Sequence, residues 1–255
     1  MSIQDQLHHA VHAIKQTLEF LFPGECRNCH SVCESTAPLC EICLGKLMLL
    51  ADAPKCALCS TPVAYRDAPC ARCQGKGVRP FSRVLAICHY AEPIRTMIHH
   101  LKFHYDWPTG EFLGEIAAKH NETKKLAEQC DLIVPIPLHR VRRMSRGYNQ
   151  AELIASRLVK LYDLKLSKSL IRVRNTEAQT KLHFREHRNA NVKNAFALVD
   201  PKNIAGKRVL LVDDVMTTGS TVRAAAKEIK RGDPKSIAVL VLAIADSKNR
   251  SFEAT

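Results

Sequence analysis

No apolar run in this chain approaches membrane-spanning length, and its start lacks a basic patch followed by an apolar core and a small-residue exit. These absences argue against a membrane-spanning protein and a cleavable export signal. The expectation is a cytoplasmic chain without stable membrane insertion. Disulfides are rare in that compartment, so the eleven cysteines need another explanation. Acidic residues are also in short supply: 25 Asp and Glu stand against 38 Lys and Arg. The deficit is local. Residues 1–80 hold eight basic and seven acidic side chains, whereas the remainder holds thirty and eighteen. A positive field therefore belongs to the larger part, where an anionic substrate or nucleic acid is attracted. A length of 255 residues suits one medium domain with a small module attached. Leu7, Val11, Ile14, Leu18 and Leu21 recur at helical spacing, which predicts a helix over residues 3–22 packed on the rest. A peripheral membrane or partner contact for that helix stays open.

Eight cysteines form a repeat. Cys26, Cys29, Cys40 and Cys43 follow a C-x2-C-x10-C-x2-C pattern, and Cys56, Cys59, Cys70 and Cys73 reproduce it thirty residues later. Each C-x-x-C hairpin presents two thiolates to one ion, and two hairpins complete a tetrahedral four-cysteine zinc site. A segment this short and poor in large apolar side chains needs such a staple to fold. Two sequential zinc sites are the simplest assignment; a cross-braced arrangement or a single occupied site also fits the spacing. The zinc is expected to be structural, because an all-thiolate shell leaves no open position for water. His30 and Cys33 are read as spare side chains near the site, and Cys88 and Cys130 as small apolar groups beside strands. Arg27, Arg72, Lys76 and Arg79 can touch phosphates, but the module lacks a dense basic patch with interleaved aromatics.

The most informative stretch runs from Val209 to Thr221. Val209 to Val212 read as a short buried strand of a parallel sheet, with Asp213 and Asp214 where it ends. Thr217, Thr218, Gly219, Ser220 and Thr221 then form a turn, followed by a helical run from about Val222 to Arg231. Small hydroxyl residues around a glycine let backbone N–H groups approach a phosphate, and the new helix aims its positive end at it. Two carboxylates repel a phosphate, so their task is different: they suit the vicinal hydroxyls of a sugar just beyond it. Strand, acid pair and turn together describe a pocket for a ribose 5-phosphate. Upstream, residues 131–138 form another apolar strand, ending in prolines. Residues 139–150 follow as an arginine-rich loop, then a helical pattern through Leu161. Four arginines at a strand's carboxyl end make a polyanion cradle where open α/β sheets place ligands. A strand over Val84–Tyr90 and a helix over Ile94–Phe103 precede these, with His99 and His100 on an exposed or half-buried face. Residues 172–194 are polar and basic, a composition that suits a lid over a site or a surface that grips DNA.

The 209–221 string closely resembles the phosphoribosyl pyrophosphate (PRPP) signature of type I phosphoribosyltransferases. Together with the cysteine module, Ile98–Lys102, Val134–Leu138, Arg146–Ala151 and Arg188–Asn189, it is similar to the ComF/GntX-like phosphoribosyltransferase family. That resemblance implies an α/β fold of type I phosphoribosyltransferase kind, a mostly parallel sheet flanked by helices over residues 81–255. The zinc-ribbon-like module would occupy residues 1–80. By resemblance, Asp213 and Asp214 hold the ribose hydroxyls and act in catalysis, and Thr217 to Thr221 wrap the 5-phosphate. Arg140, Arg143 and Arg146 meet the pyrophosphate, and Mg2+ accompanies PRPP. A closing lid brings Lys181, Arg185 and Arg188 to the departing pyrophosphate. The implied setting is natural transformation, with single-stranded DNA, a competence helicase and a DNA-processing protein as partners. Two alternatives stand beside it: a transferase of nucleotide salvage, and a catalytically silent DNA-binding competence factor.

Overall fold

A computed structural model describes residues 24–33, 37–175 and 194–245 of the chain. The helix expected over residues 3–22 and the lid residues Lys181, Arg185 and Arg188 lie outside them. The described residues open with the two-residue strands β1 (Gly24–Glu25) and β2 (Val32–Cys33), paired antiparallel, and then α1 (Glu41–Asp52). β3 (Arg83–His89) leads to three helices: α2 (Ile94–Phe103), α3 (Trp107–Lys119) and α4 (Asn121–Ala127). After β4 (Leu132–Pro135) come α5 (Arg140–Arg146), α6 (Gln150–Tyr162) and β5 (Lys165–Leu166). β6 (Leu170–Arg172) pairs antiparallel with β7 (Phe196–Leu198). β8 (Arg208–Met216), α7 (Ser220–Ile229) and β9 (Ser236–Ile244) complete the order.

Five strands form one sheet in the order β3-β9-β8-β4-β5, parallel throughout. Unbroken apolar runs account for it. Val209–Val212 and Ile237–Ile244 are buried along their whole length, as strands covered on both faces must be. Each such Val, Leu or Ile contributes about 1.5–3 kcal/mol on burial. Leu210, Val212, Leu240 and Leu242 point to the face covered by α1, α2, α3 and α6. Val209, Leu211, Val239 and Val241 point to the face covered by α7 and the β6–β7 pair. β4 runs on outward to β5, whereas its neighbour β8 runs on to β9 on the opposite side. Open parallel sheets have their ligand crevice at such a reversal, above the carboxyl ends of the two strands.

The two cysteine knuckles share one backbone geometry. Cys26 N–H donates to Ser31 O and His30 N–H to Cys26 O; Cys56 N–H donates to Thr61 O and Ser60 N–H to Cys56 O. His30 and Ser60 take the left-handed conformation at φ 62° and 54°. The repeats diverge after their second pairs. Cys40 is the N-cap of α1, which buries Cys43, Leu47 and Ala51 against the same core as the sheet. The second knuckle instead lies along β3. Val84 N–H donates to Leu58 O at 2.9 Å, and the Ser60 hydroxyl bridges Val84 O and Ala86 N–H at 3.0 and 2.9 Å. Lys55 Nζ adds bonds to Ala51 O, Ala86 O and Ile87 O at 2.8, 3.1 and 2.5 Å. The open edge of the sheet is thereby sealed by a knuckle rather than by another strand.

Three local expectations change. β8 does not stop before the acid pair; its pairing with β9 continues to Met216, so both carboxylates are strand residues. Residues 140–146 form a helix rather than a loop, because His139 caps its start and Gly147, at φ 73°, terminates it. α7 begins at Ser220, two residues earlier than its apolar pattern suggests, since Gly219 at φ 76° turns the chain directly into it.

Candidate functional site

β8 brings Asp213 and Asp214 to the carboxyl end of the central strand, and strand alternation points them to opposite faces. Asp214 is buried on the α2 side, where Lys102 Nζ lies 3.0 Å from Oδ1 and 2.9 Å from Oδ2. Lys102 stands one residue beyond Leu101, the last of the buried stripe Ile94, Met97, Ile98 and Leu101. The end of α2 is fixed by Tyr148 Oη and Gln150 Nε2, which both donate to Leu101 O, at 2.7 and 3.1 Å. Asn149 in turn caps α6 through Ala151 N–H and donates to Ile136 O. Asp213 is half-buried and accepts the Asp214 N–H at 2.9 Å. Burial and the neighbouring Asp214 carboxylate push its pKa up to about 7, against the pull of that N–H, Lys102 and Arg172.

Arginines complete the ring. Burial lowers the pKa of Arg146, and the Asp214 carboxylate offsets part of that effect. Arg172, at the end of β6, is held down to about 10 by burial and by Arg142, while Asp213 acts to raise it. Arg142 and Arg146 lie four residues apart on α5 and share its inward side. Lys102, Arg146 and Arg172 thus converge on the acid pair, with Arg142 beside the two arginines, and leave the crevice positive. Of the three arginines expected at a pyrophosphate, Arg146 faces the acid pair. Arg143 pairs with Glu152 at 3.1 and 3.0 Å, and Arg140 is exposed. Arg142 belongs to the four-arginine cluster that the sequence marks as a cradle, whereas Lys102 and Arg172 have no expected role in the site. The signal for Lys102 is its place in the Ile98–Lys102 string, one helical turn after Ile98.

The turn Thr217–Thr221 follows the acid pair directly. Thr218 and Ser220 are buried, with their hydroxyls 2.5 Å apart. Gly219 is required here: its φ of 76° disfavours side chains, and a Cβ would meet the Arg223 guanidinium at 3.0 Å. Arg223 Nη2 donates to Thr218 O, folding that guanidinium over the turn.

A raised carboxyl pKa carries a cost in stability near neutral pH. The unfolded chain releases the Asp213 proton near pH 3.8, whereas the folded chain keeps it until about pH 7. Stability therefore falls as pH rises through that window. We expect the native chain to lose on the order of 2 kcal/mol relative to Asp213→Asn between pH 4 and 7. Urea unfolding at both pH values checks it, and parallel profiles would refute the assignment.

The cysteines gather into two tetrads, Cys26/Cys29/Cys40/Cys43 and Cys56/Cys59/Cys70/Cys73, with sulfurs in each within 4.8 Å of one another. Each draws on consecutive pairs, so the arrangement is sequential and not cross-braced. The Cys29–Cys40, Cys56–Cys73 and Cys59–Cys70 sulfurs are 3.6 Å apart. A tetrahedral thiolate site with bonds of about 2.3 Å has an edge of about 3.8 Å, so both tetrads can hold a metal ion. All eleven cysteines are free thiols. Cys33 Sγ donates to Ala37 O, and His30 pairs with Glu25, so neither joins a tetrad. Cys88 and Cys130 are buried, and burial pushes their thiols up to about 12 and about 11. Among the described residues, no helix is long and apolar enough to cross a membrane.

A parallel sheet ending in an acid pair and a hydroxyl-rich turn is the arrangement of a phosphoribosyltransferase, and residues 110–253 match the phosphoribosyl transferase domain family. The chain is 33% identical to Competence protein F of Haemophilus influenzae over 210 residues, covering 79% of this chain and 90% of that one. It is 31% identical to the DNA utilization protein YhgH of Escherichia coli strain K12, over 80% and 89% of the two chains. It is 28% identical to Competence protein ComFC of Bacillus subtilis, over 80% and 83%. The chain belongs to the ComF-like phosphoribosyltransferase family.

Proposed function

We propose that the crevice at β4 and β8 binds PRPP and transfers its phosphoribosyl group to an acceptor nucleophile, in a protein that serves DNA uptake. One observation carries this reading: an acid pair at the strand reversal, ringed by Lys102, Arg146 and Arg172, runs directly into the Thr217–Thr221 turn. Asp213 and Asp214 accept the ribose hydroxyls, and the turn and the start of α7 receive the 5-phosphate. The inward arginines receive the pyrophosphate as its bond to the anomeric carbon breaks. Lys181 and Arg185 are assigned to the same leaving group by the family resemblance. Mg2+ bound with PRPP supplies charge neutralisation on the pyrophosphate, and the hard oxygens of the acid pair suit its neighbourhood.

In this reading residues 81–255 are the transferase, and residues 1–80 a module stapled by zinc in both tetrads. The relatives' names speak of competence and of DNA utilization, which supports a role with incoming single-stranded DNA. A helicase and a DNA-processing protein are the partners that such a role calls for. The cytoplasm is the matching compartment, since reducing conditions keep the thiols available to metal. Calorimetry with PRPP and Mg2+ on the zinc-replete chain tests the proposal, repeated with saturating single-stranded DNA. Saturable heat is expected in both titrations. No heat and no thermal shift would overturn it.

A further inference from the structure

Phe103 ends α2, Trp107 begins α3 and Tyr105 lies in the short turn between them; the three are 50%, 54% and 66% exposed. Large rings cost free energy in water, so three together on a surface mark a contact site. Trp107 is the single tryptophan of the chain. Tyr105 also holds φ 55°, a conformation that a bulky residue adopts only under constraint.

The turn is anchored on three sides. Tyr105 Oη donates to Ser145 O at 2.7 Å, and Arg146 lies 5.5 Å over the Phe103 ring. Asp106 caps α3 through Thr109 N–H, and Arg27 of the first knuckle donates to its Oδ2 at 2.9 Å. That carboxylate is thereby neutralised, which leaves the turn aromatic and cationic. Exposed His99 and His104 extend the ring surface, with His99 4.7 Å from Phe103 and 5.5 Å from His104. Arg146 ties this surface to the crevice, since it covers Phe103 and also interacts with Asp214.

We propose that this turn is the platform on which single-stranded nucleic acid stacks its bases, beside the phosphoribosyl crevice. The inference rests on the proposed handling of single-stranded DNA and assigns it a surface. Aromatic faces bind unpaired bases without regard to sequence, while guanidinium groups track the phosphates. Duplex bases are already stacked on one another and cannot splay onto the rings. A membrane would also accept rings and cations. The link through Arg146 to a pocket built for a sugar phosphate favours the nucleic acid.

Trp107 reports directly on this site. Titration of the full chain with an oligothymidylate of roughly 20 nucleotides should quench its emission saturably, while a duplex of equal length binds at least about tenfold more weakly. Tyr105→Ala and Trp107→Ala should each weaken binding about tenfold by fluorescence anisotropy, with unchanged melting temperatures, and Tyr105→Phe should retain it. Undiminished oligonucleotide binding in both alanine variants, with still emission in the native chain, would put the nucleic acid elsewhere. Emission that responds to anionic vesicles and not to the oligonucleotide would likewise overturn the proposal. Absence of any oligonucleotide binding by anisotropy would remove the DNA reading itself and leave the PRPP titration unaffected.

Discussion

The chain carrying Asp213→Asn with Asp214→Asn gives no calorimetric signal with PRPP and Mg2+, where the native chain saturates. The expected loss is at least about a hundredfold, because hydrogen bonds from ribose hydroxyls to charged carboxylates contribute roughly 1.5–3 kcal/mol each. Asparagine preserves volume, so the pocket keeps its shape. Charge does not survive. The Asp214 change leaves Lys102 facing Arg146 without the carboxylate that now lies 2.9 Å from its Nζ. Removing one partner of such a pair destabilises the chain, whereas removing half-buried Asp213 stabilises it above neutral pH. A thermal midpoint on the same sample therefore separates lost binding from lost folding. Affinity for single-stranded DNA should change little, since neither carboxylate touches the aromatic turn. Joint loss of both ligands in a folded variant would mean one shared site and would sink the picture of two adjacent surfaces.

Stripping metal from both tetrads should melt more than the cysteine module. Structural zinc contributes about 10–16 kcal/mol in isolated fingers, comparable to the whole stability of an ordinary domain. Here the effect has two routes into the sheet. Cys26 and Cys43 belong to the core cluster that contains Leu210 and Leu240, so opening the first tetrad uncovers one face of the central strands. Leu58 and Ser60 of the second knuckle hold the β3 edge, so opening the second frees its N–H and C=O groups. We expect the chelated chain to lose its cooperative thermal transition near-completely by circular dichroism. Cys26→Ser and Cys59→Ser should each bind about one equivalent of zinc instead of two. A sheet that melts at the same temperature with and without metal would show the module to be independent.

Much of this was legible in order along the chain. The repeat of four-cysteine spacings, the apolar strands of β4 and β8, and the Asp-Asp-to-Thr221 string each require only neighbouring residues. Other features were hidden by local ambiguity. Residues 139–150 have the composition of a basic loop, and a seven-residue helix with no buried apolar side leaves almost no periodic signal. The end of β8 is hidden because two carboxylates in succession resemble the exit of a strand. They remain in it because the pairing with β9 carries on past them.

Neighbouring residues dictate which backbone geometries are possible: two thiolate knuckles, a sheet of unbroken apolar strands, and a glycine turn preceded by two acids. These are short-range facts, fixed by the conformations and spacings of adjacent residues. Tertiary structure alone decided which charges meet. Lys102 reaches Asp214 across 112 residues, and Arg208 reaches Asp131 across 77. Arg172 faces Asp213 because the β6–β7 pair covers that side of the sheet. Ser60 seals β3 only because β3 is the edge strand. Such juxtapositions depend on strand order, which follows from burying every apolar face at once and has no signature in any single stretch of chain.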